Sequence, residues 1–422
     1  MKDGVNEIKD KVQKEGLNAW ELHGYIGTLE MATGVGKSRC GVLAAKRKVR
    51  EKPDAKILII TPSESIRDTA WKEEFNKWKA NSVFNNNVVI ECIQTAWKRQ
   101  GDYFDLVICD EIHNYVIKDS KKEYSYYKFF ENNTYDWILG LSATIDVDQR
   151  VNLSKVAQVV YKVSTTKALS LGLISPFTIY TVPVELTDLE KAAYDKADKI
   201  VNKLLPLFNW NMDKMFACMK AEYFERYCKI NALDYDAPHI KNAPFVCNNA
   251  IQKRKNILYE ASEKEKAILN VAKFIEGNGI IFSQTTDFVD SVTEKLGDIC
   301  VRFHSKIRAK EKKEALKKLQ DRRTKVKIIA TARALNEGAN IKDVKFAIIA
   351  SGTSKIRDVI QRVGRAVRLD KDKSAIIIRL YVKNSQEEKW MNNSMKELNS
   401  VDLNSLEDLV TILEKKSTIQ LV

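Results

Sequence analysis

MATGVGKS at residues 31–38 and VICDEIH at residues 107–113 decide the fold class of this chain of 422 residues. The first stretch is a glycine-rich turn that ends in Lys37 and Ser38. Backbone N–H groups of such a turn can wrap polyphosphate oxygens. The lysine ammonium can reach the β- and γ-phosphates, and the serine hydroxyl can bind a metal ion. This stretch therefore predicts a phosphate-binding loop between a strand and a helix.

The second stretch is an apolar strand that ends in two carboxylates, Asp110 and Glu111. Chemistry on a nucleoside triphosphate needs a carboxylate that positions the metal and a group that orients the attacking water. The alternative is a solvated strand end, but two adjacent acids at the mouth of a parallel sheet favour catalysis. Both stretches, in this order and about one mononucleotide-binding fold apart, predict a site for a nucleoside triphosphate and Mg²⁺.

The charge of the chain indicates a polyanionic partner. The formal net charge is +14, which favours nucleic acid first and an anionic membrane surface second. Lysines that only solvate the surface are the alternative. The same question is open for three further features. Arg362 would contact nucleic acid or pair with an acid, and the basic run at 306–327 would contact nucleic acid or solvate a helix face. The aromatic segment at 187–270 would contact nucleic acid or pack a core.

Nothing in the sequence predicts a membrane or secretory segment. No apolar run reaches the roughly 18–20 residues of a membrane span, and the charged N-terminus lacks the apolar stretch of a signal peptide. We expect a cytoplasmic protein with no membrane partner. The seven cysteines form no C-x-x-C pair, which predicts free, mostly buried thiols.

Short apolar runs alternate with helical stretches in two parts of the chain. This rhythm predicts an α/β fold with parallel sheets and ligands at the carboxyl ends of the strands. The expected strands of the first part are 57–62, 88–93, 105–111 and 137–144, and those of the second part are 279–284, 327–332, 346–351 and 375–381. Between them, a long helical segment rich in Lys and aromatic residues predicts an insertion, and the C-terminal tail predicts amphipathic helices that pack back on the second domain.

Three further motifs give the chain a resemblance to a known family. They are SAT at 142–144, ARALNEGANI at 332–341 and QRVGRAVR at 361–368. With the first two stretches, they make the chain similar to superfamily 2 helicases and translocases of the DExH type. The resemblance implies two RecA-like parallel-sheet domains in tandem that hold ATP and Mg²⁺. The expected domains are 1–165 for the first RecA-like domain, 166–270 for the linker and helical insertion, 271–395 for the second RecA-like domain and 396–422 for a helical tail.

The resemblance assigns roles around ATP residue by residue. The catalytic set would be Lys37, Asp110, Glu111, His113, Gln361, Arg365 and Arg368, with Arg368 as the arginine finger and His113 coupled to Gln361. Ser38 and Asp110 would hold Mg²⁺. The nucleotide would also contact Ala32, Thr33, Gly34, Val35, Gly36, Glu337 and Gly338. The adenine-reading glutamine of the family is replaced by a weaker candidate, Gln13, which lacks the aromatic and arginine neighbours.

The resemblance also places nucleic-acid contacts at strand ends. Short hydroxyl and amide side chains there would position a phosphodiester backbone without reading bases. The expected contacts are Thr61, Pro62, Ser63, Gln94, Thr95, Ser283, Gln284, His304, Ser305 and Thr331. The predicted partner is single-stranded, forked or branched DNA bound independently of sequence, with RNA as a further possibility, and the protein is expected to be a monomer.

The resemblance implies ATP-dependent DNA unwinding or branch migration, most similar to compact phage-type branch-migration helicases. If the protein is phage-encoded, we expect it in the host cytoplasm. The acidic box ends in His113, which distinguishes the chain from DEAD-box RNA helicases. Three alternatives stay open: a duplex translocase that remodels protein–DNA complexes without unwinding, an RNA helicase, and a non-enzymatic nucleic-acid-binding scaffold.

Overall fold

The structure, a computed structural model, describes residues 2–62, 70–116, 121–145, 147–174, 176–321, 323–332, 344–351, 375–395 and 399–419. The chain divides into two compact units. The first covers Met1–Phe177, and the second begins at Thr178 and includes Ile376–Val422. This boundary lies C-terminal to the residue 165 that the sequence motifs suggest, because the helix Thr165–Ser170 also belongs to the first unit.

The first unit is built on a parallel sheet of six strands in the order β3-β2-β4-β5-β1-β6. Its central strands are buried along almost their whole length, as expected of a parallel sheet covered by helices on both faces. The strands are β1 (Ile26–Met31), β2 (Ile57–Thr61), β3 (Val88–Cys92), β4 (Tyr103–Asp110), β5 (Thr134–Ser142) and β6 (Val159–Val163). Four of these confirm strands expected from the apolar runs.

Helices cover both faces of this sheet. They are α1 (Lys2–Leu22), α2 (Lys37–Glu51), α3 (Trp71–Lys77), α4 (Asn81–Asn87), α5 (Ile93–Ala96), α6 (Lys121–Asn132), α7 (Val147–Leu153) and α8 (Thr165–Ser170). Successive residues of β4 point to opposite faces, so Leu106 and Ile108 belong to one apolar cluster and Val107 and Cys109 to another. The burial of each large side chain stabilises the unit by about 1.5–3 kcal/mol.

The second unit is built on a sheet of seven strands in the order β13-β7-β12-β11-β8-β10-β9. Its strands are β7 (Phe177–Val184), β8 (Asn278–Ser283), β9 (Cys300–His304), β10 (Ile328–Ala332), β11 (Val344–Ile349), β12 (Ala375–Val382) and β13 (Ser400–Asp402). Besides the four expected strands, the sheet includes β9, β7 where the sequence suggests a linker, and β13 in the tail. Tyr180 and Val182 of β7 pack in the core of this unit.

The helical insertion has its own apolar core. Its helices are α9 (Asp188–Leu204), α10 (Met212–Ala217), α11 (Ala221–Ile230), α12 (Pro238–Lys241) and α13 (Ala243–Tyr259). Phe208, Phe224 and Tyr227 are buried in this core, so these three aromatic side chains pack the insertion, as one of the two alternatives predicts. Trp210 and Tyr223 are exposed, so the aromatic residues of the insertion divide between core and surface.

The remaining helices are α14 (Ser262–Val271), α15 (Thr286–Leu296), α16 (Ala309–Gln320), α17 (Gln386–Met395) and α18 (Leu406–Ile419). Leu409 and Leu413 of α18 are buried in the core of the second unit, which confirms that the tail packs back on it. Across the described parts of the chain, no helix has the length and apolar character needed to cross a bilayer. All seven cysteines are buried, as expected.

A buried ion pair joins α14 to α17 in the second unit. Lys264 donates to Glu387 at 2.6 Å and to the Leu258 carbonyl at 2.7 Å, and both charged side chains are fully buried. Burial lowers the pKa of Lys264 to about 8, and the neighbouring Glu387 carboxylate opposes this effect. Arg379, also buried, lies 4.0 Å from the same carboxylate. One carboxylate therefore faces two buried cations.

We expect Glu387→Gln to destabilise the second unit by about 3–5 kcal/mol, because the substitution removes the buried carboxylate that compensates the charge of Lys264. Urea unfolding measures the loss. The control is Glu407→Gln on the exposed surface of α18, which should change the free energy of unfolding by less than about 0.5 kcal/mol. Equal stability of the two variants would show that the buried pair is dispensable.

Candidate active site

The carboxyl ends of β1, β4 and β5 meet at one edge of the first sheet. The parallel register aligns Glu30 with Ser142 and aligns Asp110 with Leu141, so these strands end at the same level. The glycine-rich turn follows β1, the acidic box follows β4 and the SAT motif follows β5. Strand alignment alone therefore brings three of the sequence motifs together.

The turn at residues 32–36 leaves the N-terminus of α2 open to an anion. Gly36 precedes the helix with a φ of +104°, and no side chain caps the first N–H groups. Such N–H groups and the helix dipole bind phosphate. The Thr33 hydroxyl is buried and has no hydrogen-bond partner among the described residues. These observations fit a bound polyphosphate.

Lys37 and Ser38 lie in the first turn of α2. Lys37 is only 8% exposed, and its ammonium donates to the Met31 carbonyl at 3.0 Å, so the side chain lies back over the turn. Ser38 is partly exposed. The lysine charge is thus placed beside the N–H groups that would hold phosphate.

Gln13 of α1 supports the turn from behind. Its side chain is 3% exposed, its amide donates to the Val35 carbonyl at 2.7 Å, and its carbonyl accepts from Arg39 at 2.7 Å. A Cβ atom at position 36 would lie 2.2 Å from the Gln13 amide nitrogen, so glycine is required there for this close approach as well as for its φ. Arg39 also pairs with Asp10. Gln13 therefore positions the loop, and its contact with adenine stays a prediction.

The acidic box makes a sharp turn at the end of β4. Glu111 has a φ of +53°, a left-handed conformation that costs a non-glycine residue about 1–3 kcal/mol. The turn directs its carboxylate toward the end of β5, where it lies 3.4 Å from the Ala143 N–H. The Tyr115 hydroxyl donates to the Asp110 carbonyl at 2.5 Å, and burial raises the pKa of Tyr115 well above its usual range.

Close packing against Gly140 holds this turn in place. Ile112 is fully buried, and a Cβ atom at position 140 would lie 3.0 Å from it and 2.3 Å from the Thr28 hydroxyl. The missing side chain on β5 lets the short helix Ile112–Asn114 lie directly on the sheet. The strained geometry of Glu111 is thereby fixed by its neighbours.

His113 connects the acidic box to the SAT motif. Its Nδ1 lies 2.7 Å from the Ser142 hydroxyl, which donates to the Thr144 carbonyl at 2.9 Å. Because a serine has a single hydroxyl hydrogen, Nδ1–H is the donor to Ser142, and Nε2 of a neutral imidazole is left as an acceptor. The Glu111 carboxylate lies 3.6 Å from the same Nδ1. Ser142 is buried, and the sequence motifs alone assign it no role.

A buried carboxylate beside the turn was also missed by sequence reasoning. Glu30 of β1 is 3% exposed and pairs with Arg150 of α7 at 2.5 Å and with Lys162 of β6 at 3.5 Å. The only signal in the sequence is a single acid within an apolar strand. The pairing fixes α7, which directly follows the SAT motif, against the strand that leads into the turn.

The expected nucleic-acid contacts of the first unit lie at the same carboxyl edge. Thr61 ends β2 and is aligned with Cys92 at the end of β3. Thr61 is buried, whereas Gln94 and Thr95 are exposed, and the Gln94 amide donates to the Pro62 carbonyl at 3.2 Å. The edge therefore carries the phosphate loop, the acidic box and the SAT motif at β1, β4 and β5, and the expected nucleic-acid contacts at β2 and β3.

The expected contacts of the second unit also gather at strand ends. The register aligns Ala332 with both Ser283 and His304, so β8, β10 and β9 end together. Ser283 and His304 are buried: the Ser283 and Ser351 hydroxyls lie 3.2 Å apart, and His304 Nε2 lies 3.0 Å from an Asp290 carboxylate oxygen. Thr331 is buried too, the Gln284 side chain is half-buried, and Ser305 is exposed. Burial leaves Ser305 as the accessible side chain of this set, with Gln284 partly so.

Comparisons with known proteins agree with this arrangement. A family described as "Type III restriction enzyme, res subunit" matches residues 5–147, and one described as "Helicase conserved C-terminal domain" matches residues 263–370. The "DNA 3'-5' translocase XPB2" of Sulfurisphaera tokodaii is 25% identical over 396 residues, which cover 89% of this chain and 83% of that protein. The chain is a superfamily 2 helicase. Enzymes of these families hydrolyse ATP, so the helicase is an ATP-hydrolysing enzyme.

Solved structures confirm the tandem RecA-like fold of the helicase. A variant of Dbp5 from S. cerevisiae, bound to RNA and ADP BeF3, matches with a TM-score of 0.61 and 13% identity over 98% of this chain and 96% of that chain. The helicase domain of Hef from Pyrococcus furiosus matches with a TM-score of 0.52 and 14% identity over 92% and 97%.

Several expected site residues of the helicase lie outside the described residues. They are Ser63, Glu337, Gly338, Gln361, Arg362, Arg365 and Arg368. Among the described residues, no group of three or more His, Cys, Asp or Glu side chains could hold a metal ion. Mg²⁺ that accompanies a nucleotide is usually held by one or two protein groups and by phosphate oxygens. Ser38, in the first turn of α2, and Asp110, at the end of β4, fit that smaller demand.

We expect Gln13→Ala to raise the KM of the helicase several-fold for ATP and by the same factor for GTP. The reason is that Gln13 bonds the loop itself, through Val35 and Arg39. Steady-state hydrolysis of both nucleotides measures the effect. A loss confined to ATP would instead show that Gln13 reads adenine.

We expect Glu111→Gln and Glu111→Gly both to lower ATP turnover by about 10²-fold or more, because both remove the carboxylate. Their stabilities should differ: glycine relieves the left-handed strain at φ +53°, so Glu111→Gly should be the more stable by about 1 kcal/mol. Thermal unfolding compares the two. Identical unfolding temperatures would show that the turn is not strained.

Proposed function

We propose that this helicase is an ATP-driven DNA translocase. The observation that carries the proposal is the shared carboxyl edge of the first sheet, where the phosphate loop and acidic box lie beside Thr61, Gln94 and Thr95. Binding of nucleotide at the phosphate loop and acidic box can therefore shift the residues that contact DNA. DNA as the partner is supported by the 25% identical relative, which is named a DNA translocase, and by the net charge of +14.

The roles around ATP follow from the position of each side chain. Lys37 and the N–H groups at the start of α2 bind the phosphates, and Ser38 and Asp110 are the groups that would hold Mg²⁺, which supplies positive charge at the phosphates. Glu111, held by the turn over Gly140, orients the attacking water and accepts its proton. Arg365, Arg368 and Gln361 enter the proposal through their motif alone.

His113 and Ser142 carry the response to ATP. The chain of contacts from Glu111 through His113 to Ser142 and Thr144 joins the acidic box to the loop that leads into α7. Arg150 of that helix is in turn paired with Glu30, directly before the phosphate loop. Glu111 and Glu30, the two ends of this connected set, therefore both respond to the loss or gain of the terminal phosphate of the nucleotide.

DNA contacts made through strand-end hydroxyl, amide and N–H groups would be independent of sequence. Binding should weaken steeply as salt rises, because phosphate contacts displace counterions. Unwinding or branch migration by a compact phage-type enzyme is the finer role that we propose. Translocation on duplex without unwinding is the second candidate, favoured by the name of the 25% identical relative.

Strand separation distinguishes these two roles. We would measure ATP hydrolysis and strand displacement with forked, four-way and duplex DNA and with RNA. Displacement on forked or four-way DNA supports unwinding or branch migration. DNA-stimulated hydrolysis with triplex displacement, but without strand separation, supports the duplex translocase. Stimulation by RNA alone would contradict a DNA substrate.

We expect Lys37→Ala to lower DNA-stimulated ATP turnover by at least about 10²-fold while DNA affinity without nucleotide changes less than about twofold. The reason is that Lys37 lies over the phosphate loop, away from the strand ends of β2 and β3. The control is Lys46→Ala, on the same helix but beyond its first turns. Wild-type turnover of Lys37→Ala would disprove the site.

A further inference from the structure

Much of the positive charge of the helicase is concentrated in one short segment. Residues 302–327 contain twelve Lys and Arg but only three Asp and Glu, so this segment carries +9 of the net +14. Its centre is α16, which packs beside β9, the last strand at one edge of the second sheet. The sequence alone left open whether this run solvates a helix or contacts DNA.

The geometry of α16 separates its buried face from a row of lysines. Ala315 and Leu319 are buried against the sheet. Lys310, Lys313 and Lys317 are exposed, and their spacing of three and four residues places them on one face. At 3.6 residues per turn this face is opposite the buried pair, and the row is about 10 Å long.

The lysines of this row differ in their partners from four other cations of the segment. Arg302, Lys306, Lys318 and Arg323 each pair with a carboxylate at 2.8–3.1 Å. Among the described residues, no carboxylate lies within ion-pair distance of Lys310, Lys313 or Lys317, nor of Arg308 just before the helix. Like charges three and four residues apart destabilise a helix. A polyanion on this face would relieve that repulsion.

The chemistry of the row favours duplex DNA over a single strand. Single-strand sites combine basic groups with exposed aromatic side chains on which bases stack. The sequence of α16, AKEKKEALKKLQ, has no aromatic residue, and the nearby Phe303 is buried. A duplex carries one phosphate per about 1.7 Å of its axis when both strands are counted, so the length of duplex beside a row of about 10 Å carries about six phosphates.

We propose that the outward face of α16, formed by Arg308, Lys310, Lys313 and Lys317, binds the phosphodiester backbone of double-stranded DNA. This inference rests on the proposed DNA function and adds a duplex contact outside the strand-end contacts. It would hold the duplex while the motor acts on it. The contact is purely electrostatic, so it gives affinity and salt dependence without sequence preference.

The chain supplies a matched control in α9. Lys196, Lys199 and Lys203 have the same spacing and are also exposed. The helix α9 contains four lysines and four acids, so its net charge is zero and it lacks the concentrated field of α16. A triple substitution there removes the same charge from the whole protein.

The test compares the triple variants Lys310→Gln/Lys313→Gln/Lys317→Gln and Lys196→Gln/Lys199→Gln/Lys203→Gln with the wild type. Fluorescence anisotropy in the absence of nucleotide measures binding to a labelled duplex and to a labelled single strand over a range of salt. For the α16 variant, duplex affinity should fall about tenfold or more, and the slope of log K against log salt should decrease by about 2–3. The α9 variant should bind duplex as the wild type does.

Three results would overturn the inference: unchanged duplex binding by the α16 variant, an equal loss in the α9 variant, or an equal loss on single-stranded and duplex DNA. Thermal unfolding of both variants excludes a folding defect. Failure of the wild type to bind any nucleic acid would instead overturn the proposed function together with this inference. If the wild type binds DNA and hydrolyses ATP but the α16 variant keeps full affinity for duplex DNA, only this inference is contradicted.

Discussion

The alignment of parallel strands in the first sheet is the constraint on which the site depends. Because β1, β4 and β5 end at one level, the phosphate loop, the acidic box and the SAT motif meet without any long-range loop. Glycine at position 140 completes this geometry, since a larger residue would displace Ile112 and with it Glu111. The proposed nucleotide site of the helicase therefore depends on strand register and on one missing side chain.

Two energetically unfavourable features lie near the site, and neighbouring residues stabilise each of them. Glu111 adopts a left-handed conformation, Glu30 is a buried charge, and each is stabilised by specific neighbours. Glu30 pairs with two cations, one on α7 and one on β6, so the helix after the SAT motif is tied to the strand before the phosphate loop. Such strained and buried polar groups are common where a site must respond to a ligand.

The features that sequence predicts here are local ones. The phosphate loop, the acidic box and most buried strands depend on short runs of residue types, and the structure has these strands where expected. Contacts that depend on the fold could not be found this way, as shown by the hydrogen bond from Gln13 to Val35 beneath the loop and by Ser142 against His113. The strand β7 was hidden for the same reason, because its role depends on pairing with strands far along the chain.

The central claim is that ATP and DNA binding are coupled through the first sheet. Coupling is reciprocal: if DNA changes the affinity for ATP by some factor, ATP changes the affinity for DNA by the same factor. The direct measurement is the Kd of ATP with and without saturating duplex DNA, and the Kd of DNA with and without ATP, in a hydrolysis-deficient protein. The account predicts matching factors of about fivefold or more. Equal affinities in all conditions would contradict it.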